Sequence, residues 1–235
     1  MRLLLLLIFL LGSHLSNAQL FSKERVLNKE NFDKKRWSWG YYLGLNVYDF
    51  QIKYNEEIDE DIDVQKNPSF NVGLIGNLRI NDYLDLRLEP GVVFANRTLT
   101  FAETTGPLPS GQIRDVNSSY IHIPLLLKFS AKRLNNFKPF VVGGASVSSN
   151  LSSNEDNPQD NRAGQFRMKT QNYYYEIGFG IDFYFDYFKF TPSLRGVFGM
   201  RDELVRDENL SSPSPYTSNI ESFKTRGIFL NFTFQ

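Results

Sequence analysis

The chain has 235 residues with 26 basic and 26 acidic side chains, so its formal net charge is zero. A neutral chain lacks the basic surplus of a nucleic-acid-binding protein, and the absence of cysteine excludes disulfides, thiol catalysis and zinc–thiolate sites. Aromatic residues are frequent, at 15%, yet the mean hydropathy is negative, at -0.34. A transmembrane β-barrel reconciles these values because only half of each strand faces lipid.

The N-terminal sequence has the three parts of a secretory signal peptide. A basic start precedes nine apolar residues, 3–11, and small residues stand at the −3 and −1 positions before Gln19. The apolar run is shorter than the ~20 residues that span a bilayer, which disfavours a membrane anchor. We therefore predict a cleaved signal peptide over residues 1–18.

Residues 19–36 form a polar, charged segment that we predict to lie in the periplasm. It ends in the basic run Lys34, Lys35 and Arg36. Such a run is typical of a solvated flank, and it is also suited to contact an anionic partner or a lipid headgroup. Both alternatives stay open at this stage.

Eight later segments alternate apolar and polar residues with a period of two, which predicts strands whose faces meet different environments. Residues 172–186 show this best, with large apolar side chains on one parity and carboxylates and glycines on the other. Aromatic residues stand at both ends of the apolar face, as in a strand that crosses a membrane between two interfacial girdles. The predicted strands are 37–53, 69–81, 83–100, 118–132, 138–151, 172–186, 188–200 and 220–235.

The connections between these strands alternate between long and short, which is typical of bacterial outer-membrane barrels. The long ones are 54–68, 101–117, 152–170 and 201–219. We therefore predict an all-β fold over residues 37–235: an eight-stranded antiparallel transmembrane β-barrel with short periplasmic turns, long extracellular loops and both termini in the periplasm. A soluble eight-stranded barrel is disfavoured because its apolar face would point inward.

Three prolines inside predicted strands, Pro90, Pro124 and Pro192, each remove a hydrogen-bond donor from the sheet. We predict bulges or loosened pairing at these positions. A bulge would invert the inward and outward assignment of its neighbours. The parity of strand 138–151 is open as well, since Gly143 and Gly144 erase its pattern.

Charged side chains of both signs are predicted to point into the barrel. Side chains can fill the lumen of an eight-stranded barrel, and a buried charge is costly unless it is paired. We therefore predict a salt-bridged plug that fixes the strand register and leaves no pore. Its predicted members are Arg87, Glu89, Lys128, Glu176, Asp182 and Arg195.

No residue is assigned to catalysis, metal binding or cofactor binding. The only histidine after the predicted signal peptide, His122, points inward by parity, whereas lipid substrates would arrive from outside the barrel. Ser118, Ser119 and Glu176 are conceivable partners for it, but nothing in their spacing brings them together. We predict a protein that is not an enzyme and has no cofactor and no small-molecule substrate. A lipid A-modifying enzyme is the alternative.

Two stretches resemble a known family. Residues 32–46, FDKKRWSWGYYLGLN, resemble the start of PorT proteins, in which a charged F-D-x-R/K segment enters a strand of the form G-x-x-L-G-x-N. Residues 120–129, YIHIPLLLKF, resemble the Y-x-x-I-P-L-L-L-K-[FY] strand of the broader outer-membrane β-barrel family that contains PorT. Residues 88–91, LEPG, match a recurring L-x-P-G element of that family.

This resemblance implies a function, which the strand periodicity alone does not predict. PorT-like proteins are outer-membrane components of, or accessories to, the type IX secretion system, which exports cargo with C-terminal sorting signals and supports gliding motility in some bacteria. The expected partners are outer-membrane lipid, lipopolysaccharide and other secretion-system proteins of a Gram-negative bacterium. A generic structural, adhesive or narrow-channel barrel is the alternative function.

Overall fold

The computed structural model describes residues 27–55, 62–100, 113–155, 167–206 and 219–235. The predicted signal peptide lies outside these ranges. None of the helical structure in these ranges is long and apolar enough to cross a membrane. This part of the chain contains one short 3-10 helix, Phe32–Lys34, and ten β-strands.

The ten strands pair antiparallel in a single sheet. Neighbours follow the order β1, β10, β9, β8, β7, β6, after which β6 pairs with both β4 and β5, and β3 pairs with both of these and with β1. The pairing therefore returns to β1 and encloses an interior. The strands are β1 (Trp37–Tyr54), β2 (Asp63–Asn67), β3 (Ser69–Arg79), β4 (Leu84–Leu88), β5 (Gly91–Thr100), β6 (Ile113–Ser130), β7 (Phe137–Asn150), β8 (Gln171–Tyr184), β9 (Lys189–Gly199) and β10 (Ile220–Phe234).

The ten observed strands differ from the eight predicted ones in two places. The predicted strand 83–100 is divided after Leu88 into β4 and β5, and β2 lies inside the predicted loop 54–68. Pro68 separates β2 from β3. The pairing with β5 shifts by one residue there, since Asn67 lies opposite Asn96 whereas Asn71 lies opposite Val93. A proline in place of a ladder donor accounts for the break.

Pro90 and Pro124 lie at one gap in the pairing. β6 pairs with β5 as far as Gly91–His122 and with β4 from Leu88–Leu125, in one register on both sides of the gap. The loosened pairing predicted at these prolines is confirmed, but no bulge forms here. The inward and outward alternation continues unchanged through the gap.

Pro192 loosens the sheet in the same way. It keeps its place opposite Phe232 in β10, while the pairing between β8 and β9 is interrupted from Gly180–Ser193 to Phe183–Phe190. The register on both sides of that interruption is again the same. In β7, whose parity the sequence left open, the even-numbered residues Lys138, Phe140 and Val142 are buried.

The outer wall of the ring is an apolar belt. On β1 the exposed residues alternate with half-buried or buried ones from Trp37 to Val47. Ten steps of ~3.3 Å cover about 33 Å along the strand, which a tilt of about 40° reduces to about 25 Å, the height of the lipid-facing band of outer-membrane barrels. The same parity exposes Ile121, Ile123, Leu125, Leu127 and Phe129 on β6.

Candidate functional site

Four of the six residues of the predicted plug form one chain of ion pairs inside the ring. Glu89 accepts one hydrogen bond from Arg195 on β9 and pairs with Arg87 on β4, each at 2.8 Å. The Nε of Arg195 lies 3.0 Å from the second carboxylate, Glu176 Oε2, on β8. These side chains are at most 6% exposed, so each charge is neutralised inside the protein.

The other two predicted residues form a second group nearer the tight turns. Lys128 on β6 donates to Asp182 on β8. Lys189 Nζ lies 3.8 Å from the same oxygen, Asp182 Oδ2, and the other oxygen, Oδ1, accepts from Thr191 Oγ1 at 2.7 Å. The ammonium of Lys128 also lies 4.2 Å from the centre of the Phe140 ring. Lys189 and Phe140 are absent from the predicted plug. We call the two groups together the charge network.

His122 joins the charge network through both ring nitrogens. Its Nε2 lies 2.8 Å from Glu176 Oε1, and its Nδ1 lies 2.5 Å from Ser148 Oγ. A serine, a histidine and a carboxylate in this order are the groups used in nucleophilic catalysis. All three residues are at most 2% exposed, so Ser148 Oγ does not face either the lipid or the solvent.

The serine beside His122 is different from those that the sequence suggested. Ser118 bonds instead to Arg97, at 3.3 Å. Ser148 faces His122 because β6 and β7 pair residue 122 with residue 148. That register depends on the whole β6–β7 hairpin, so the local sequence around Ser148 does not predict its contact with His122.

At the end of the ring that carries the long connections, the interior is apolar. Two members of this cluster, Met168 and Leu204, come from connections rather than strands and form a β-bridge with each other. Backbone bonds from Lys169 N to Glu203 O and from Glu203 N to Phe223 O, both 2.8 Å, hold these connections across the interior. We call the cluster the apolar seal; it contains Phe50, Leu99, Val116, Met168, Leu204, Ile220 and Phe223.

Two charged residues lie directly beneath the apolar seal. Arg97 is 1% exposed, donates to Tyr120 Oη at 2.9 Å and stacks over Phe50 at 3.9 Å. Glu203 accepts from the backbone N and the hydroxyl of Thr225 at 3.0 and 2.7 Å. Burial raises the pKa of the Glu203 carboxyl above its usual range. Glu203 lies in the predicted loop 201–219, so strand parity does not identify it.

The tight-turn end of the ring is covered by residues 27–36. Asp33 accepts a hydrogen bond from Tyr184 Oη at 2.7 Å, and its carbonyl accepts one from Arg79. The Phe32 ring meets Tyr184 edge-on at 6.4 Å, and Lys189 Nζ lies 4.7 Å from its centre. This segment therefore packs against the charge network from below.

The basic run, for which the sequence left open a solvated flank or a partner contact, stays exposed on this docked segment. Lys34, Lys35 and Arg36 are all exposed. Lys34 Nζ donates to Asn31 Oδ1 at 3.0 Å, and the carbonyl of Arg36 accepts from the backbone of Arg79 at 2.8 Å. The backbone is therefore held in place while the three side chains stay exposed.

The sequence matches the family described as outer membrane protein beta-barrel domain over residues 17–205. No match was found among curated proteins. Three of the similar solved structures are OprG and the N-terminal β-barrel domain of OprF, both from Pseudomonas aeruginosa, and Neisserial surface protein A. In that order the identities are 12%, 14% and 9% and the TM-scores 0.45, 0.36 and 0.42. They cover 83%, 81% and 85% of this chain and 94%, 97% and 98% of their own.

The family match covers most of the chain, including the strands that build the charge network. It agrees with an antiparallel all-β fold whose apolar side chains face outward. The chain therefore belongs to the outer membrane protein β-barrel domain family, and we place it in the outer membrane.

Proposed function

We propose that the ten strands form a closed eight-stranded transmembrane barrel. In this barrel β2 and β3 together make one barrel strand, and β4 and β5 together make another. The shared register across the gap at Pro90 supports treating β4 and β5 as one strand. The one-residue shift at Pro68 is then a bulge between β2 and β3. The return of the pairing to β1 supports closure. The tight turns and both ends of the chain then lie in the periplasm, and the long connections lie outside the cell.

In this barrel the charge network and the apolar seal serve as packing rather than as a conduit. The network fills the half near the tight turns, and the seal covers the half near the long connections. We propose that the barrel conducts no solutes and acts through its surfaces.

The function that we propose is that of a non-catalytic accessory to type IX protein secretion. The observation that carries this proposal is the docked segment 27–36. Its residues 32–36 begin the stretch that resembles PorT proteins, and its side chains have two roles. Phe32 and Asp33 attach it to the barrel, whereas Lys34–Arg36 remain free to contact an acidic partner in the periplasm.

The test is the secreted proteome of a strain with an in-frame deletion of the gene. We expect proteins with C-terminal sorting domains to disappear from the culture supernatant and to return with the wild-type gene. A triple variant, Lys34→Gln, Lys35→Gln and Arg36→Gln, should assemble but fail to restore secretion. An unchanged supernatant in the deletion strain would overturn the proposal.

A matched control removes the same charge from exposed positions outside the docked segment. The triple variant Lys132→Gln, Lys169→Gln and Arg201→Gln should restore secretion. Heat-modifiable migration on gels shows whether each variant forms a folded barrel. Equal loss of secretion in both variants would mean that net charge, rather than the docked segment, is what matters.

The group Ser148–His122–Glu176 favours a hydrolase on its chemistry, and we propose a structural role for it instead. Its burial supports this choice, as does the ion pair of Glu176 with Arg195. Purified protein should not react with a fluorophosphonate probe, and the mass of lipid A should be the same in cells that carry His122→Ala. Labelling of Ser148 would overturn the structural role.

A further inference from the structure

The apolar belt ends at a set of charged side chains on the long-connection side. On β1 the outward parity passes from Val47 to Asp49, and charge replaces apolar surface at this step. Asp49 Oδ2 lies 2.7 Å from Arg226 Nη2 on β10 and 3.0 Å from Lys66 Nζ on β2. Because both nitrogens contact one oxygen, the two cationic groups lie side by side. Their side chains are 50% and 47% exposed.

Two more lysines continue this surface along the same strands. The register places Asp49 opposite Arg226, Gln51 opposite Lys224 and Lys53 opposite Ser222. Residues two apart on one strand share a face at a spacing of about 7 Å. Lys224 therefore follows Arg226 on the outward face, and Lys53 extends the row on β1. We call Lys53, Lys66, Lys224 and Arg226 the rim cluster.

Counted over the residues that the structure describes, the rim cluster carries more positive charge than its contacts neutralise. Among the described residues, Asp49 is the carboxylate in contact with it. Asp202 is paired with Arg206 at 2.9 Å, and Glu221 is exposed on β10. Four cations against one paired carboxylate leave a surplus of positive charge at the upper edge of the belt. The acidic residues of 56–61 lie outside the described residues.

We propose that the rim cluster binds the phosphate groups of lipopolysaccharide. Acyl chains that cover the apolar belt place their headgroup phosphates at its edge, which is the height of this cluster. Arginine binds phosphate through paired hydrogen bonds, and lysine does so as a compact point charge. Asp49 is a positioning residue that holds Lys66 and Arg226 together. This inference rests on the proposed orientation, in which the long connections face the outer leaflet.

The binding test uses the purified full-length barrel in detergent and native mass spectrometry. The probes are bisphosphorylated lipid A, dephosphorylated lipid A and phosphatidylglycerol. We expect wild-type protein to retain bisphosphorylated lipid A on the order of tenfold more than either other lipid. Equal retention of the dephosphorylated form would overturn the role of phosphate. Equal retention of phosphatidylglycerol would overturn lipopolysaccharide as the ligand.

Two variants with the same change in charge locate the site. In the first, all four residues of the rim cluster become glutamine, and retention of lipid A should fall on the order of tenfold or more. In the control, four exposed cations outside the rim cluster, Lys132, Lys169, Arg201 and Arg206, become glutamine, and retention should be unchanged. An equal fall in both variants, or no fall in the first, would overturn the site.

A separate measurement distinguishes failure of this site from failure of the proposed orientation. The natural chain contains no cysteine, so Ser222→Cys introduces a single label site beside Lys53. A membrane-impermeant maleimide should label it on intact cells. Labelling without selective lipid A retention would overturn the lipopolysaccharide site alone. Absence of labelling on intact cells, with labelling after lysis, would overturn the orientation and the site that depends on it.

Discussion

The two halves of the barrel interior are packed by different means. The charge network joins side chains from strands that lie far apart in sequence, and ion pairs such as Arg195 with Glu89 and Glu176 hold it together. The apolar seal is made of hydrocarbon and aromatic rings, and Met168 and Leu204 reach it from connections. The network ties strands to strands, whereas the seal ties connections to strands.

The two groups therefore have different roles. The charge network specifies the register of the strands, and the apolar seal closes one end of the barrel. A buried ion pair is intolerant of a wrong partner, because a slip in register leaves charges unpaired in a low dielectric. Apolar contacts are less directional and suit a lid made of irregular chain. We therefore expect damage to the network to affect the whole barrel and damage to the seal to affect only the end that it covers.

The largest expected effect is that of Glu176→Ala. It leaves Arg195 and His122 without their shared carboxylate inside the barrel. The free energy of unfolding should fall by about 3–5 kcal/mol, as measured by denaturant titration of the barrel in detergent micelles. The control Glu221→Ala changes an exposed residue and should shift the transition little. Equal transitions for the two variants would contradict the structural role of the network.

The next effect is that of Leu204→Ala in the apolar seal, where Leu204 is 2% exposed. Truncation of the buried isobutyl group to a methyl group should weaken the closed seal by about 2–5 kcal/mol. Limited proteolysis should then cut near residues 201–206 while the strands stay protected. Leu151→Ala, at a residue that is 64% exposed, is the control. A global loss of strand protection in Leu204→Ala would show that seal and network are one cooperative unit.

A smaller effect is expected where residues 27–36 meet the barrel. Tyr184→Phe removes the hydroxyl that donates to Asp33 but keeps the ring beside Phe32. The loss of about 1–2 kcal/mol should raise the rate of tryptic trimming of the N-terminal segment about tenfold. Tyr187→Phe changes an exposed ring and should leave the rate unchanged. If both variants are trimmed at the wild-type rate, the docking contact does not hold the segment.

The smallest effect concerns pH and Glu203. Its folded-state pKa is raised from the usual 4.5 by burial, so the seal favours the protonated carboxyl. That stabilisation is fully present below about pH 4.5 and is lost as the pH rises through the raised value. Hydrogen exchange of residues 201–206 should therefore show a seal that loosens as the pH rises, relative to Glu203→Gln at each pH. Parallel curves for the two proteins would contradict this linkage.

The sequence predicted the network better than the seal for a physical reason. Strand parity places Arg87, Glu176 and Asp182 inside, because a period of two fixes which face each residue occupies. Parity does not state which charges meet, and the bond between His122 and Ser148 depends on the register of β6 and β7. Strand parity does not predict the positions of Met168 and Leu204, because both residues lie in connections, where side chains do not alternate between two faces.

The prolines show that the local sequence predicts loosened strand pairing but does not predict whether a bulge forms. Each was expected to loosen the sheet, and Pro90, Pro124 and Pro192 do so. A change of parity was also conceivable, yet it is not seen beside any of the three. The neighbouring strands hold one register across each gap, so the tertiary structure decides the outcome. The one-residue shift occurs instead at Pro68, which the sequence placed in a loop.

The measurement that tests the central claim most directly is the electrical conductance of the purified barrel in a planar bilayer. The claim is that an ion-paired half and an apolar half together leave no path through the interior. We expect no conductance steps above the lipid background for wild-type protein whose insertion is verified by its heat-modifiable migration. Stable, reproducible steps from the wild-type barrel would contradict the account, because they would require a continuous aqueous path past both Arg195 and Phe223.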